Sequence, residues 1–220
     1  MVRASFVGAD EFVPSRAGIA ALTAAVQRCR GCDLFETATQ AVFSRGPADA
    51  ALVLVGEQPG DLKDREGSPF VGPAGHLLER AMGDAGVDPA DAHLTNAVQH
   101  FKFKQRGKRR IHQRPQRAEV VACRRWLVAE FRTLSPRVVV ALGATAASSL
   151  LGPRFRLTQS RGELLPWPAA SDMAADFSIA DRHILATVHP SAVLRDPDRE
   201  RAYAGLVADL NAAVNAARGD

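Results

Sequence analysis

The fold is decided by the segment Arg137-Val138-Val139-Val140-Ala141-Leu142-Gly143, which leads into Ala-Thr-Ala-Ala-Ser-Ser-Leu-Leu at positions 144–151. A short unbroken apolar run that stops at glycine predicts a strand buried on both faces. The residues that follow predict a helix over positions 144–151. Strands of this kind are typical of parallel sheets that are covered by helices on both sides.

Working outward, the chain repeats this alternation of strand and helix. Apolar runs predict further strands at 51–55, 93–97 and 183–188, and helical spacing predicts helices at 17–27, 75–85, 117–134 and about 200–217. Residues 152–182 contain three prolines and are predicted to be irregular. We therefore predict an α/β fold, a three-layer single domain over 1–220 with a central, mainly parallel four-stranded sheet flanked by helices. The first ~11 residues are expected to form a flexible tail.

The carboxyl ends of the four predicted strands carry polar residues that suit a site. Ligands of open parallel sheets bind at that edge, where we expect Glu57, Asn96 and His189 to converge with the loop that contains Gln58. The carboxylate could stabilise a cationic transition state, and the imidazole could stabilise a departing anion. The carboxamide could read the edge of a nucleobase. Taken singly, each residue is more often an ordinary turn residue.

Phe70 lies in the rigid loop Ser68-Pro69-Phe70-Val71-Gly72-Pro73-Ala74-Gly75. An aromatic ring on such a loop could stack on a planar base that has been extruded from a helix. In isolation, a loop phenylalanine more often anchors a small core.

The positive charge of the chain is concentrated in one segment. Eight basic residues and no acidic ones lie between positions 102 and 117, whereas the rest of the chain has 20 basic and 24 acidic residues. A local excess of this kind is expected where a surface meets a polyanion such as a phosphate backbone. Lys108, Arg109 and Arg110 are the candidate DNA-binding residues, and a solvated charged loop is the alternative.

Three cysteines suggest a metal or cluster site that lacks one ligand. Cys29 and Cys32 form a close pair and Cys123 lies far along the chain, while His100 is the best candidate for the fourth ligand. Three thiolates and one imidazole suit either zinc or an iron–sulfur cluster. The ligand chemistry does not choose between them, and Cys123 could instead be a buried helix residue.

Cellular location is constrained only by what the sequence lacks. No apolar run approaches the roughly 20 residues that span a bilayer, and the first residues do not resemble an export signal. We therefore expect a cytoplasmic protein in a reducing compartment, with no membrane association.

Taken together, these motifs resemble the family 4-like uracil-DNA glycosylases, which are iron–sulfur enzymes of DNA repair. The resemblance runs from about position 12 to about position 210. It rests on Gly56-Glu57-Gln58-Pro59-Gly60, the loop at 69–75, Thr95-Asn96-Ala97-Val98 and His189-Pro190-Ser191, which occur in the family's order. Histidine at position 100, the inserted Lys108-Arg109-Arg110-Ile111-His112 and glutamine at position 58 are similar to the UdgX type.

The resemblance implies a [4Fe-4S] cluster held by Cys29, Cys32, His100 and Cys123. It also implies that His112 attacks C1′ of the deoxyribose after uracil has left, so that the protein becomes covalently bound to the abasic site in a single turnover. Spacing alone would make His112 one more polar group of a DNA-contacting loop.

The function implied is that of a uracil-DNA glycosylase with uracil-containing DNA, preferably single-stranded, and free uracil as partners of a monomer. Glu57 and His189 would act with His112 in catalysis, and Gln58, Phe70, Asn96 and His189 would bind the base. Two alternatives stay open: a conventional enzyme of many turnovers in which His112 only shapes the pocket, and a non-catalytic iron–sulfur DNA-binding module.

Overall fold

A five-stranded sheet forms the centre of the protein, whose computed structural model describes residues 6–68, 70–167 and 182–219. The strand order is β2-β1-β5-β7-β6. The strands are β1 (Leu52–Gly56), β2 (His93–Asn96), β5 (Val138–Leu142), β6 (Leu164–Pro166) and β7 (His183–Thr187). All neighbours pair in parallel except β6, which lies antiparallel to β7.

Helices cover both faces of this sheet. They are α1 (Ile19–Val26), α2 (Asp61–Glu66), α3 (Pro73–Asp84), α4 (Arg117–Leu134), α5 (Ala144–Leu151), α6 (Pro190–Val193) and α7 (Arg199–Arg218). Short 3-10 helices span Asp33–Glu36 and Pro89–Asp91. Among the described residues, no helix combines the length and the apolar character needed to cross a membrane.

The alternation of side chains along the buried strands produces two apolar clusters. On one face, Leu54 and Val140 pack with Leu78 of α3 and Leu206 of α7. On the other face, Val139 and its neighbours pack against α4 and α5. This two-sided burial explains why the strands read as continuous apolar runs rather than as alternating ones.

The predicted α/β architecture is confirmed, and the four predicted strands are present in a mainly parallel sheet. The sheet has five strands rather than four, because Leu164–Pro166 adds a short antiparallel edge strand within the segment that we expected to be irregular. The remainder of that segment includes Pro168 and positions up to 181, which lie outside the described residues.

The basic segment forms a β-hairpin instead of a loop. Strands β3 (Phe103–Arg106) and β4 (Arg109–His112) pair antiparallel, with Phe103 opposite His112. Gly107 begins the two-residue turn with a φ of 57°, a left-handed conformation that glycine adopts without strain. We call residues 103–112 the basic hairpin.

The N-terminal segment packs on the outer side of α4. Ala9 is buried, and its amide donates a 3.0 Å hydrogen bond to the carbonyl of Ala122. The neighbouring cluster contains Leu22, Val26 and Trp126 together with the three cysteines. Positions 1–5 of the expected tail lie outside the described residues, whereas Ala9 belongs to a packed core.

Candidate active site

A cavity of about 820 Å³ opens at the carboxyl ends of the parallel strands. Its lining includes Glu57 after β1, Gly143 after β5 and His189 after β7. His112 at the end of the basic hairpin closes one side. The fold thus brings three residues that are far apart in sequence to one edge, as the parallel arrangement requires.

Glu57 connects His112 to the body of the protein. Glu57 Oε1 lies 3.4 Å from His112 Nε2. The other carboxylate oxygen accepts a short hydrogen bond from the Thr145 hydroxyl, which itself accepts one of 2.9 Å from Arg114 Nε. Arg114 Nε also lies 3.9 Å from Glu57 Oε2. The carboxylate is therefore held in one orientation with its free side toward the imidazole.

The imidazole of His112 is half exposed to the cavity, with 52% of the side chain accessible. Burial lowers its pKa below the usual value of 6.5, while the nearby Glu57 carboxylate raises it and Arg195 and Lys63 lower it further. The net lowering keeps the ring neutral at physiological pH. A neutral imidazole has an unprotonated nitrogen, which a nucleophile requires.

The side chain of Gln58 holds the base of the basic hairpin. Its Nε2 donates to the carbonyls of Lys102, at 3.2 Å, and Gln113, at 3.0 Å. Its Oε1 accepts a hydrogen bond of 3.0 Å from the Lys102 amide. Gln58 is only 5% exposed. This amide therefore fixes the two chain segments that enter and leave the hairpin, and so fixes the position of His112.

Arg110 also holds the hairpin, by pairing with α2. It contacts Asp61, and its Nη1 lies 2.7 Å from Asp64 Oδ2. Only 10% of its side chain is exposed, and its guanidinium also lies over the rings of Phe101 and Phe103. We predicted that Arg110 contacts DNA phosphate, but these contacts engage its guanidinium within the protein.

The hairpin register explains the different environment of Arg109. Directly opposed residues of an antiparallel pair share a face, and side chains alternate along each strand. Arg110 and His112 thus face the body, whereas Lys104, Arg106 and Arg109 share the opposite, solvent-facing side. Lys108 lies in the exposed turn. Lys108 and Arg109 are accordingly placed to meet a ligand.

His189 is half-buried at the N-cap of α6, and the neighbouring Ser191 orients its ring. Its Nδ1 accepts a 3.1 Å hydrogen bond from the Ser191 amide, which leaves the proton on Nε2 when the ring is neutral. Burial lowers the pKa of His189 to about 3, with Lys63, His112 and Arg195 adding to the effect. The ring is therefore a neutral donor. Gly143 permits this placement, because a Cβ there would lie 3.1 Å from His189 Cβ.

Asn96 and Phe70 lie together behind the cavity wall. Both contact Gly56: a Cβ at that position would lie 2.5 Å from Asn96 Oδ1 and 3.0 Å from Phe70 Cζ. Asn96 is 1% exposed, and neither Oδ1 nor Nδ2 has a hydrogen-bond partner within the described residues. Phe70 has a φ of 58°, which is uncommon for a bulky residue. An orphaned carboxamide beside a constrained ring is the pattern expected of an empty binding slot.

Lys63 of α2 separates this slot from the cavity. Its Nζ lies 4.2 Å from the centroid of the Phe70 ring, and the residue is 7% exposed. Burial, together with the charge of Arg45, lowers the pKa of Lys63 to about 8. Lys63 was not predicted as a site residue, because nothing in the sequence of a short charged helix indicates which side chain points inward.

The three cysteines lie in one buried cluster on the far side of α4. Two of them receive N–H donors: the Gln99 amide lies 3.4 Å from Cys123 Sγ, and Trp126 Nε1 lies 3.3 Å from Cys29 Sγ. Burial raises the pKa of the Cys32 thiol to about 11 and that of Cys123 further. Burial and the charge of Arg30, opposed by the charge of Asp64, lower the pKa of His100 to about 4.

The chemistry of this donor set fits a thiolate-ligated group. N–H···S contacts to buried cysteines stabilise thiolate charge, and a neutral imidazole is the ligating form of histidine. Across the described residues, no set of three or more His, Cys, Asp or Glu side chains is placed to hold a metal ion. The predicted ligand set therefore stays a prediction.

A cavity at the strand ends of a parallel sheet, bordered by Glu57, His112 and His189, is the site of an α/β enzyme or binding protein. Residues 43–211 match the model of the uracil DNA glycosylase superfamily. The chain belongs to this superfamily.

Several relatives in the superfamily are Type-4 uracil-DNA glycosylases. The protein from Thermotoga maritima is 33% identical over 176 residues, which are 80% of this chain and 82% of the relative. The protein from Pyrobaculum aerophilum is 33% identical over 78% of this chain and 82% of its own length. The protein from Archaeoglobus fulgidus is 32% identical over 81% and 84%, respectively.

Proposed function

We propose that this protein excises uracil from DNA and that His112 then bonds to C1′ of the resulting abasic deoxyribose, so that each molecule reacts once. The names of the relatives support the first step. The observation that carries the second step is the placement of the neutral His112 imidazole in the cavity, with its Nε2 3.4 Å from Glu57 Oε1.

The slot beside Gly56, formed by Phe70 and Asn96, would bind the base. Uracil stacks on Phe70, and the orphaned Asn96 amide supplies both a donor and an acceptor to its edge. Binding would satisfy two buried polar atoms that have no partner among the described residues. Each such atom disfavours the empty state by about 1–3 kcal/mol.

Cleavage of the glycosidic bond leaves its electron pair on uracil N1 and positive charge on the sugar. The Nε2–H of His189 donates to the departing base, helped by backbone N–H groups near Gln58. The Glu57 carboxylate, held by Thr145, stabilises the oxocarbenium-like sugar. The two charges that develop are thus met by groups already in place.

Capture of the sugar follows from the position of the basic hairpin. An imidazole nitrogen of His112 attacks C1′ with its lone pair, and the imidazolium that forms is stabilised by Glu57 until its remaining ring proton is lost to solvent. Water attacking in its place would release an abasic site and regenerate the protein. A C–N bond to imidazole has no comparable exit.

DNA would lie over the solvent face of the basic hairpin, where Lys104, Arg106, Lys108 and Arg109 present positive charge. Phosphate contacts of this kind supply affinity without sequence preference. We propose single-stranded DNA as the preferred form, because an unpaired uracil enters the slot without the unpairing free energy that a duplex requires.

Cys29, Cys32, His100 and Cys123 would hold the [4Fe-4S] cluster. The cluster would cross-link the N-terminal segment, α4 and the segment between β2 and β3 that leads to the hairpin, since these parts of the chain carry its ligands. None of these four residues lines the cavity that contains Glu57 and His189, which supports a structural role for the cluster.

The decisive experiment is incubation with a labelled uracil-containing single strand, followed by a denaturing gel. The proposal predicts a shifted protein–DNA band, whose digested peptide carries the sugar on His112. His112→Ala should lose the band and instead leave a free abasic strand, because the groups that expel uracil are intact.

Other outcomes separate the alternatives. A free abasic strand from the parent protein, in excess over protein, indicates a conventional glycosylase of many turnovers. Unchanged DNA indicates a binding module. An adduct on a peptide that lacks His112 refutes the assignment of the nucleophile even if trapping occurs.

A further inference from the structure

An unpaired cation lies where the base has to stack. Lys63 Nζ is 4.2 Å from the Phe70 centroid, and Lys63 rather than Phe70 or Asn96 lines the cavity. A planar base that stacks on this face of Phe70 and reaches the Asn96 amide must take the position that the Lys63 side chain now occupies. Asn96 points to the same ligand independently. The residue is 1% exposed, and its Oδ1 and Nδ2 have no hydrogen-bond partner among the described residues.

The surroundings of Lys63 do not neutralise it. Within the described part of the chain, Nζ has no hydrogen bond or ion pair, and two of the three carboxylates of the same helix, Asp61 and Asp64, are bound to Arg110. Arg45, whose charge acts on Lys63, is itself paired with Glu79. The other charged or titratable groups that line the cavity are Glu57, His112, Arg114, His189 and Arg195. A buried cation without a partner is unfavourable, and such groups concentrate at functional sites.

We propose that Lys63 is a further uracil-binding residue: its ammonium covers Phe70 until the base enters, and then lies against the base edge as the counter-charge of the departing uracil anion. This inference rests on the proposed excision of uracil. Lys63 forms no bond to the substrate and keeps its protons during cleavage. The electron pair of the broken N1–C1′ bond stays on uracil, where its charge spreads to O2 and O4.

The need for such a group follows from the state of His189. Its low pKa keeps the imidazole neutral, so that it offers a dipole and no formal charge. On the sugar side of the cavity, Glu57 supplies a full negative charge. On the base side, the described lining contains no buried cation other than Lys63. Electrostatic groups of this kind act strongly because the site excludes water.

The test is the rate of uracil release in single-turnover reactions of the whole protein, measured for the parent, Lys63→Met and Lys63→Arg. Methionine retains the length and apolar stem that cover Phe70 but removes the charge, and we expect release to slow by about 100-fold. Arginine retains the charge. Above pH 8 the parent should lose rate as Lys63 deprotonates, whereas Lys63→Arg should hold its rate to pH 9.5.

A change of leaving group separates charge stabilisation from packing. 5-Fluorouracil leaves as a more stable anion and needs less help, so the loss in Lys63→Met should be much smaller with 5-fluorouracil than with uracil. A purely structural role would slow both substrates equally, and thermal unfolding of each variant identifies a folding defect.

Equal rates for the parent and Lys63→Met on uracil, or equal losses on the two bases, would overturn the assignment of Lys63. Either result leaves the proposed function standing, because the parent still releases uracil. A parent protein that releases neither base refutes the proposed function itself.

Discussion

Replacement of Gln58 tests whether the position of the basic hairpin decides between capture by His112 and attack by water. Gln58→Ala removes three hydrogen bonds to Lys102 and Gln113. At about 0.5–1.5 kcal/mol each, the docked hairpin loses about 1.5–4.5 kcal/mol. Because Arg110 still pairs with α2, the hairpin should loosen at its base rather than detach.

The expected result is a selective loss of adduct. Since about 1.4 kcal/mol corresponds to a factor of ten, the rate of adduct formation should fall at least tenfold. Release of uracil should fall much less, because Asn96 ends β2 and His189 caps α6, so that neither residue belongs to the hairpin. Gln58→Glu is a sharper version: it retains the acceptor for the Lys102 amide but places a carboxylate oxygen against two carbonyls.

The assay follows adduct and abasic strand separately in one single-turnover reaction, the first on a denaturing gel and the second after alkaline cleavage. Gln159→Ala, an exposed glutamine far along the chain, controls for generic effects of the substitution. If Gln58→Ala forms adduct at the parent rate, the hydrogen bonds of Gln58 do not position His112. Equal losses of adduct and uracil release would likewise refute the reasoning.

Three further outcomes are expected. Adduct formation should decline as pH falls through the pKa of His112, since only the neutral ring attacks. Because burial lowers this pKa, the decline should lie below pH 6.5. Quenched time courses between pH 4.5 and 8 measure it, and a decline above pH 6.5 would contradict the prediction. His93→Ala should lower the free energy of unfolding, measured by urea denaturation, by about 3–5 kcal/mol. The reason is that the substitution leaves the fully buried Glu130, which lies 2.9 Å from His93 Nε2, without its partner. His93→Gln should lower the free energy of unfolding by less. Anaerobically purified protein should be brown, with broad absorption near about 400 nm that His100→Cys retains; a colourless protein with stoichiometric zinc would rule out the cluster.

The architecture was predictable because the buried strands carry their own signal. The apolar runs within 51–55 and 137–142 stop at glycine, and the strands they predicted are found within one residue, at 52–56 and 138–142. Parallel pairing then required Glu57, Asn96 and His189 to meet at one edge. The helix Arg117–Leu134 was equally clear from its apolar periodicity and its end before Pro136.

The elements that were missed lack an apolar signal. The basic hairpin contains Phe103 and Ile111 among charged residues, and only Gly107 in a two-residue turn indicated a hairpin. Helix α2 and strand β6 are too short for a period to be recognised. Their positions depend on contacts with distant segments, which local sequence does not encode.

Within the site, the types of functional residue could be predicted from the sequence, but the direction in which each side chain points could not. Arg109 and Arg110 are identical in composition and adjacent, yet the hairpin register sends one to solvent and the other to Asp64. Gln58 was predicted to bind the base; it lines the cavity, and its side chain also holds the hairpin, which was not predicted. Both outcomes follow from pairings between segments more than forty positions apart.

Competition between His112 and water is ultimately a matter of geometry rather than of intrinsic reactivity. The concentration of bulk water is about 55 M. An imidazole can therefore capture the sugar before water only if its effective concentration at C1′ is high. Well-oriented intramolecular groups reach effective concentrations of about 10⁵–10⁸ M, and a displacement of about 1 Å can cost a hundredfold. The contacts of Gln58 and Arg110 with the hairpin would raise this effective concentration, because they hold the strand that ends at His112 from two directions. In the proposed mechanism, a glycosylase with the same Glu57, Asn96 and His189 but a loosely held hairpin would therefore release its product, and we propose that the anchoring of the hairpin separates one turnover from many.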